Sequence, residues 1–274
     1  MIPYIRPPAI PLGFTHLEPF GIMTAAGLLV GTYLIVKAAR RDGIDPRPVQ
    51  DFVLAALLGG VIAGHLMHIF LYHPEEIREK GWLQVLRIWD GLSSTGGMLG
   101  GALAVYLFLR WKGLRLRDYT DAIALGITPG WAIARIGCFL VHDHPGVPSH
   151  FFLAVDFPAG SLPGQIFATP RHDLGLYDAI ALFVYAAILW TLRSRNILRG
   201  SYLALVMLMY GISRFFFDFL RARDLSYVDA RYFGLTPAQY VAIGFVLYGA
   251  TMLILRARRG APSPADGSKH SAPA

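Results

Sequence analysis

The sequence predicts an all-α, polytopic integral membrane protein, and three observations carry that prediction. The 274 residues are 54% hydrophobic and only 16% charged, against about 25% charged in soluble domains. The mean hydropathy is +0.46. The apolar residues fall into runs close to the roughly 20 needed to cross a bilayer as a helix. The connections between these runs are too short for a soluble domain to fit beside them.

Residues 1–19 hold Pro3, Pro7, Pro8, Pro11 and Pro19. They read as an irregular segment outside the membrane, because proline removes a backbone donor and breaks regular elements. The first apolar run begins near Phe20, lacks a basic n-region and is followed by basic residues, so no cleavable signal is read there. Seven spans are predicted, at about 20–37, 51–71, 92–110, 120–141, 174–192, 201–219 and 237–255. They make one membrane-embedded domain over residues 1–259. The connection between the fourth and fifth spans, His142 to Asp173, is about 30 residues long, a length that is usually functional or disordered. Phe151, Phe152, Phe157 and Phe167 argue against disorder, so it reads as a folded extracytoplasmic cap. Residues 260–274 are low in complexity and read as a disordered cytoplasmic tail.

The net charge of +7 does not point to nucleic acid. The basic residues sit in short loops, as the positive-inside rule requires. Fifteen Lys and Arg lie in the first, third and fifth connections and the tail, against eight on the other side. That bias predicts an extracytoplasmic N-terminus and a cytoplasmic C-terminus. The lone cysteine, Cys138, excludes an intrachain disulfide and any multi-cysteine metal site. Nothing in the sequence calls for a metal or an organic cofactor.

The stretch WAIARIGCFLVHDHPG, Trp131 to Gly146, is the centre of the reading. Arg135 lies inside a span, where an arginine costs a few kcal/mol at least and reads as functional. His142, Asp143 and His144 follow where the helix surfaces. Together they suggest an anion site just below an interface. Arg214 is the second intramembrane arginine. A guanidinium suits a phosphate, although Arg214 could equally pair with Asp218 at i+4. Ile88 to Gly101 (IWDGLSSTGGMLGG) is rich in small residues. Gly96 and Gly97 could let backbone N–H groups approach an anion, or could serve close helix packing. Arg221 falls seven residues after Arg214, on the same face. Arg171, His172, Tyr177 and Asp178 make one more polar entry to a span. His65 and His68 could share a metal, but no third ligand is evident, so interior polar packing is preferred.

Four motifs in order and spacing, RIWDGLSSTGGMLGG, ARIGCFLVHDHPG, RHDLGLYD and YGISRFFFDFLRARD, resemble the phosphatidylglycerol:prolipoprotein diacylglyceryl transferase family. The resemblance covers roughly residues 18–255. It implies transfer of the diacylglyceryl group from phosphatidylglycerol to the lipobox cysteine thiol of a preprolipoprotein, with release of glycerol 1-phosphate, in the bacterial inner membrane. It implies that the phosphate-binding arginine is Arg135, that a second essential arginine is Arg214, and that a third is Arg221. Catalysis is expected from Arg135, Arg214, His142 and Asp143. Substrate binding is expected from Arg135, Arg221, Gly96, Gly97, Arg171, His172 and Tyr177.

The chain also departs from the family pattern. Thr95 stands for a histidine, Phe20 for a tyrosine, and His65 for an arginine. Cys138, Val141 and Asp143 stand in a run where the family has asparagines and a glutamate. The Pro-Ser-Gln core is missing from RHDLGLYD. Either His142, His144 or His172 has taken over as the base, or the chain is a paralogue with another acceptor or with lipid binding alone. A transporter is the remaining alternative, disfavoured by the absence of visible repeat halves.

Overall fold

A computed structural model describes residues 1–11, 16–88, 91–226 and 228–259. The tail expected to be disordered, 260–274, lies outside the described residues. The N-terminal segment holds three short strands, β1 (Ile2–Pro3), β2 (Ile10–Pro11) and β3 (His16–Leu17). The helices α1 (Pro19–Arg41) and α2 (Pro48–Met67) follow, and each carries a proline in its first turn. There the missing N–H costs nothing and the fixed φ suits the helix. A π turn extends α2 to Tyr72. Short α3 (Glu75–Lys80) leads to α4 (Ser94–Trp111), whose start is capped by the Ser93 side chain accepting from Gly96 N at 3.2 Å. The helix α5 (Leu116–Val141) ends at His142, which is left-handed with φ 54°. Three strands follow, β4 (Pro145–Pro148), β5 (Val155–Phe157) and β6 (Thr169–Asp173). Then come α6 (Leu174–Ser194), α7 (Tyr202–Phe217) and α8 (Pro237–Arg259).

Among the described residues, six helices are long and apolar enough to cross a membrane, namely α1, α2 with its π turn, α5, α6, α7 with the turn after it, and α8. Seven were expected from the sequence, and α4 is the one that this measure leaves out. The predicted span at 92–110 does form α4, but that helix is only 18 residues long and opens on STGGMLGG, which dilutes its hydropathy. The central helix is α5: half of its apolar window is buried, against 22% for α1 and for α8. The other helices turn leucines, isoleucines and phenylalanines outward, such as Leu29, Leu58 and Leu247.

Lipid is as apolar as leucine, so helices in it associate by close packing of small residues. A Cβ on Gly27 of α1 would lie 2.2 Å from the Gly130 carbonyl of α5. A Cβ on Gly96 of α4 would lie 2.6 Å from the Ala63 carbonyl of α2. These two contacts lock α1 to α5 and α2 to α4.

The fold is not purely helical. Four strands form a sheet in the order β1-β5-β6-β4, with β1 parallel to β5 and the other pairs antiparallel. The irregular N-terminal segment is therefore corrected, since Ile2 pairs with Val155 and Pro3 with Asp156. The segment between α5 and α6 is folded, around a core of Val155, Phe157, Leu162, Ala222 and Leu225. At the opposite end of the bundle, Asp42 after α1 receives a two-pronged bond from Arg193 of α6 at 2.9 and 3.0 Å, and a third bond from Arg199 at 2.7 Å.

Candidate functional site

The site forms where α5, α6 and α7 reach the sheet. Arg135 of α5 is 2% exposed, and its Nε lies 3.4 Å from Oδ2 of Asp178, one turn into α6. Arg214 of α7 places Nη1 3.3 Å from that same oxygen and Nη2 3.0 Å from Oδ1 of Asp218. Arg221 lies 3.7 Å from Asp218 Oδ1, and its Nε lies 2.6 Å from Asp229. The Thr236 hydroxyl bonds the other Asp218 oxygen. Trp131 and Tyr210 wall the array: the Arg135 guanidinium sits 5.8 Å from the Trp131 ring, which packs 4.8 Å from Tyr210. Each buried ion costs several kcal/mol unless it is paired. The alternation of three arginines with three aspartates meets that cost. The i+4 pair expected for Arg214 is present, but only as one link of this chain.

The other edge of Arg135 faces the turn after α5. Its Nη1 lies 3.6 Å from Cys138 Sγ and 3.4 Å from His144 Nε2. His144 Nδ1 is hydrogen-bonded to Asp143. Burial opposes the charged His144 ring, but the Asp143 charge and hydrogen bond outweigh it and push the ring up to about 9. Burial raises the Asp143 carboxyl, yet His144, Arg135 and Arg221 together hold it below the usual carboxylate range.

His142, expected beside Arg135, points elsewhere. Its left-handed backbone turns the ring into the sheet core, where Nδ1 meets Asp173 at 2.7 Å and Tyr4 stacks at 4.6 Å. The same reversal brings His144 round to Arg135. Arg171 is also engaged away from Arg135, bonded twice to Asp224, at 2.9 and 2.5 Å, and once to the Gly146 carbonyl at 3.1 Å. His172 meets the Tyr177 hydroxyl at 2.6 Å, and burial lowers its ring. Both line an apolar groove of about 390 Å³ with Phe151, Ile180, Ala181 and Phe217.

Gly96 lies against α2, where its contacts are those of packing, and Gly97 faces Gly60 at an ordinary 3.7 Å. Beside them Thr95 accepts a 3.3 Å bond from Tyr72. His65 sits between the Gly91 and Gln84 carbonyls at 3.0 and 3.1 Å, as interior polar packing predicts.

Sequence reasoning missed the bridging role of Asp178 and the cluster of Cys138, Asp143 and His144. An acid one turn into an apolar span was the available signal for Asp178.

A mostly helical chain with six apolar spans and a chain of buried ion pairs flanked by an apolar groove belongs to the class of polytopic membrane proteins. The comparisons with known proteins narrow that class. A model of the family described as prolipoprotein diacylglyceryl transferase matches residues 7–255. A phosphatidylglycerol–prolipoprotein diacylglyceryl transferase of Chromohalobacter salexigens is 28% identical over 98% of each chain. The protein of that name from Bordetella avium is 29% identical over 96% of this chain and 98% of its own. That from Nitratidesulfovibrio vulgaris is 30% identical over 92% and 94%. The chain belongs to the prolipoprotein diacylglyceryl transferase family.

Proposed function

We propose that this protein transfers the diacylglyceryl group of phosphatidylglycerol to the cysteine thiol of a prolipoprotein lipobox. The observation that carries the reading is the bridged pair Arg135–Asp178–Arg214, buried beside an apolar groove. The bond between the diacylglyceryl carbon and the phosphate oxygen breaks, and a carbon–sulfur bond forms. The thiol gives up its proton and glycerol 1-phosphate leaves. Negative charge grows on the leaving phosphate, and guanidiniums already in place stabilise it without reorganising. Arg135 binds that phosphate, and Arg214 and Arg221 share its charge. Tyr177 and His172 border the groove that takes an acyl chain. Arg171 and His142 act indirectly by holding the sheet in place.

The protein sits in the bacterial inner membrane with the sheet end extracytoplasmic and the Asp42 end cytoplasmic. The lysine and arginine bias supports that orientation. It also makes α4 a seventh span. The Tyr119 hydroxyl bonds the Asp45 carbonyl at 3.0 Å, which supports placing the start of α5 at the Asp42 end. Tyr232 bonds the Leu71 carbonyl at 2.9 Å, which supports placing the end of α2 at the other. Between the two, the chain has to cross back, and α4 is the helix available.

The test is a transfer assay with purified protein, phosphatidylglycerol and a lipobox peptide, followed by peptide mass. A diacylglyceryl gain is expected, absent with a Cys→Ser peptide and with Arg135→Ala. Transfer that survives Arg135→Ala refutes the phosphate role. Lipid binding that needs Arg135 without any transfer refutes the transferase reading.

A further inference from the structure

The turn after α5 aims a histidine at the Arg135 guanidinium. His142 is left-handed, and the reversal it makes carries His144 back toward the helix. His144 Nε2 lies 3.4 Å from Arg135 Nη1. Asp143 is hydrogen-bonded to the opposite ring nitrogen, Nδ1. Two backbone bonds pin the turn. The His144 carbonyl accepts from Leu174 N at 3.0 Å, and the Pro145 carbonyl accepts from Ala222 N at 3.1 Å. The start of α6 and the segment after α7 therefore both fix where the ring points. Access is graded along this path: 14% of the His144 side chain is exposed, against 3% of the Arg135 side chain. A headgroup arriving from the sheet end meets the histidine before the arginine.

We propose that His144 is a further catalytic residue, which grips the departing phosphate together with Arg135. The catalytic role rests on the transferase reading above. With Asp143 behind it, the ring is pushed up to about 9 and carries a proton on each nitrogen at neutral pH. His144 Nε2 and Arg135 Nη1 are then both donors, and at 3.4 Å they cannot bond each other. An anionic oxygen accepts from both, and such charge-assisted bonds are the strong ones. The charged and titratable groups around the ring are Arg135 and Cys138 of α5, Asp143 beside it and Asp173 of β6, with Arg221 acting on it through Asp143. As the thiol sulfur bonds to the diacylglyceryl carbon, the C–O bond breaks with its electrons on the phosphate oxygen. Charge on that oxygen grows, so the two bonds to it tighten in the transition state. His144 keeps its proton, because a phosphate monoester takes its second proton only at about 6. The thiol proton passes to water. A ring already protonated cannot take it, which removes His144 from the candidate bases.

The probe is glycerol 1-phosphate, added without peptide to full-length protein in detergent. In NMR spectra of histidine-labelled protein, one of the nine histidine rings should be doubly protonated at neutral pH and titrate at about 9. The probe should shift that ring. His144→Gln keeps a donor and removes the charge; it should abolish the signal and weaken the probe at least about tenfold. Wild-type affinity should fall above about pH 9, and the variant's should not. Cys138→Ser should keep the fall, which separates the ring from the neighbouring thiol. Should His144→Gln not fold, the wild-type titration and the probe's effect on it decide. A ring neutral at neutral pH, a probe that leaves it unmoved, or equal affinity in His144→Gln overturns the grip. In the transfer assay His144→Gln should lower kcat at least about tenfold, and an unchanged kcat overturns the catalytic role. The probe readouts need no transfer, so they fail independently of the transferase reading.

Discussion

Asp178→Asn isolates the bridge between the two buried arginines. The change keeps the volume of the side chain and removes its charge. Two guanidiniums then face each other across a neutral amide in a site where Asp178 is 1% exposed. At 3.4 and 3.3 Å, each lost attraction is roughly 5 kcal/mol with an effective dielectric of about 20. Desolvation offsets much of this. Measured losses on breaking a buried pair are about 3–5 kcal/mol, and the lower end applies here because the amide oxygen still accepts one bond. About 3 kcal/mol corresponds to a fall in melting temperature of roughly 6–12 °C. Thermal unfolding of wild type and variant in the same detergent, at the same lipid content, reads it directly. Transfer should fall by about two orders of magnitude, because the guanidiniums lose the anchor that aims them. A variant that melts within about 1 °C of wild type refutes the bridge, since that shift is too small for a buried charge left unpaired.

Gly27→Ala drives a methyl into the Gly130 carbonyl at 2.2 Å, whereas Gly97→Ala meets Gly60 at 3.7 Å. The first should cost at least about 1–3 kcal/mol and the second under about 0.5, as read by melting of the two variants side by side. Ala181→Trp fills the groove beside His172 and Tyr177; it should raise KM for phosphatidylglycerol several-fold with little change in KM for the peptide, and equal changes would count against the groove as the lipid's path. The Asp224 carboxyl is held below its usual range, chiefly by its hydrogen bond from Arg171. A depressed carboxyl contributes stability above its unfolded pKa of about 3.9 and loses it as pH falls through the lower folded value. Asp224→Asn should therefore flatten the acid limb of a stability–pH curve below about pH 4 and leave the neutral limb parallel to wild type.

The helices were legible because each span is an apolar run whose length is set by the bilayer. Every predicted span falls on a helix, and only α4 misses the hydropathy that the other six share. Arg135 and Arg214 were legible for the same reason, as charges where none is cheap. The sheet was not, because β1 to β6 are two to five residues long and several are proline-rich, with no alternation to read. The partners of the arginines lay beyond view as well. Asp178 reaches Arg135 across 43 positions of sequence, a pairing that packing decides and spacing does not. The swap of His142 for His144 turns on one left-handed residue, and an ordinary histidine gives no sign of adopting it.

The pairing of Ile2 with Val155 also bears on how the protein comes into being. A parallel ladder between segments so far apart in sequence forms late, since the loop it closes must first be ordered. The first residues then have no partner until α5 and the segment after it have been made. Tyr4 covers the His142 ring only after that, and the turn carrying Asp143 and His144 is then held from both sides. The arginine chain is likewise incomplete until α7 arrives with Arg214. Nascent chains cut short before Asp178 should therefore insert their early spans and yet present no site, so competence would be acquired near the end of synthesis.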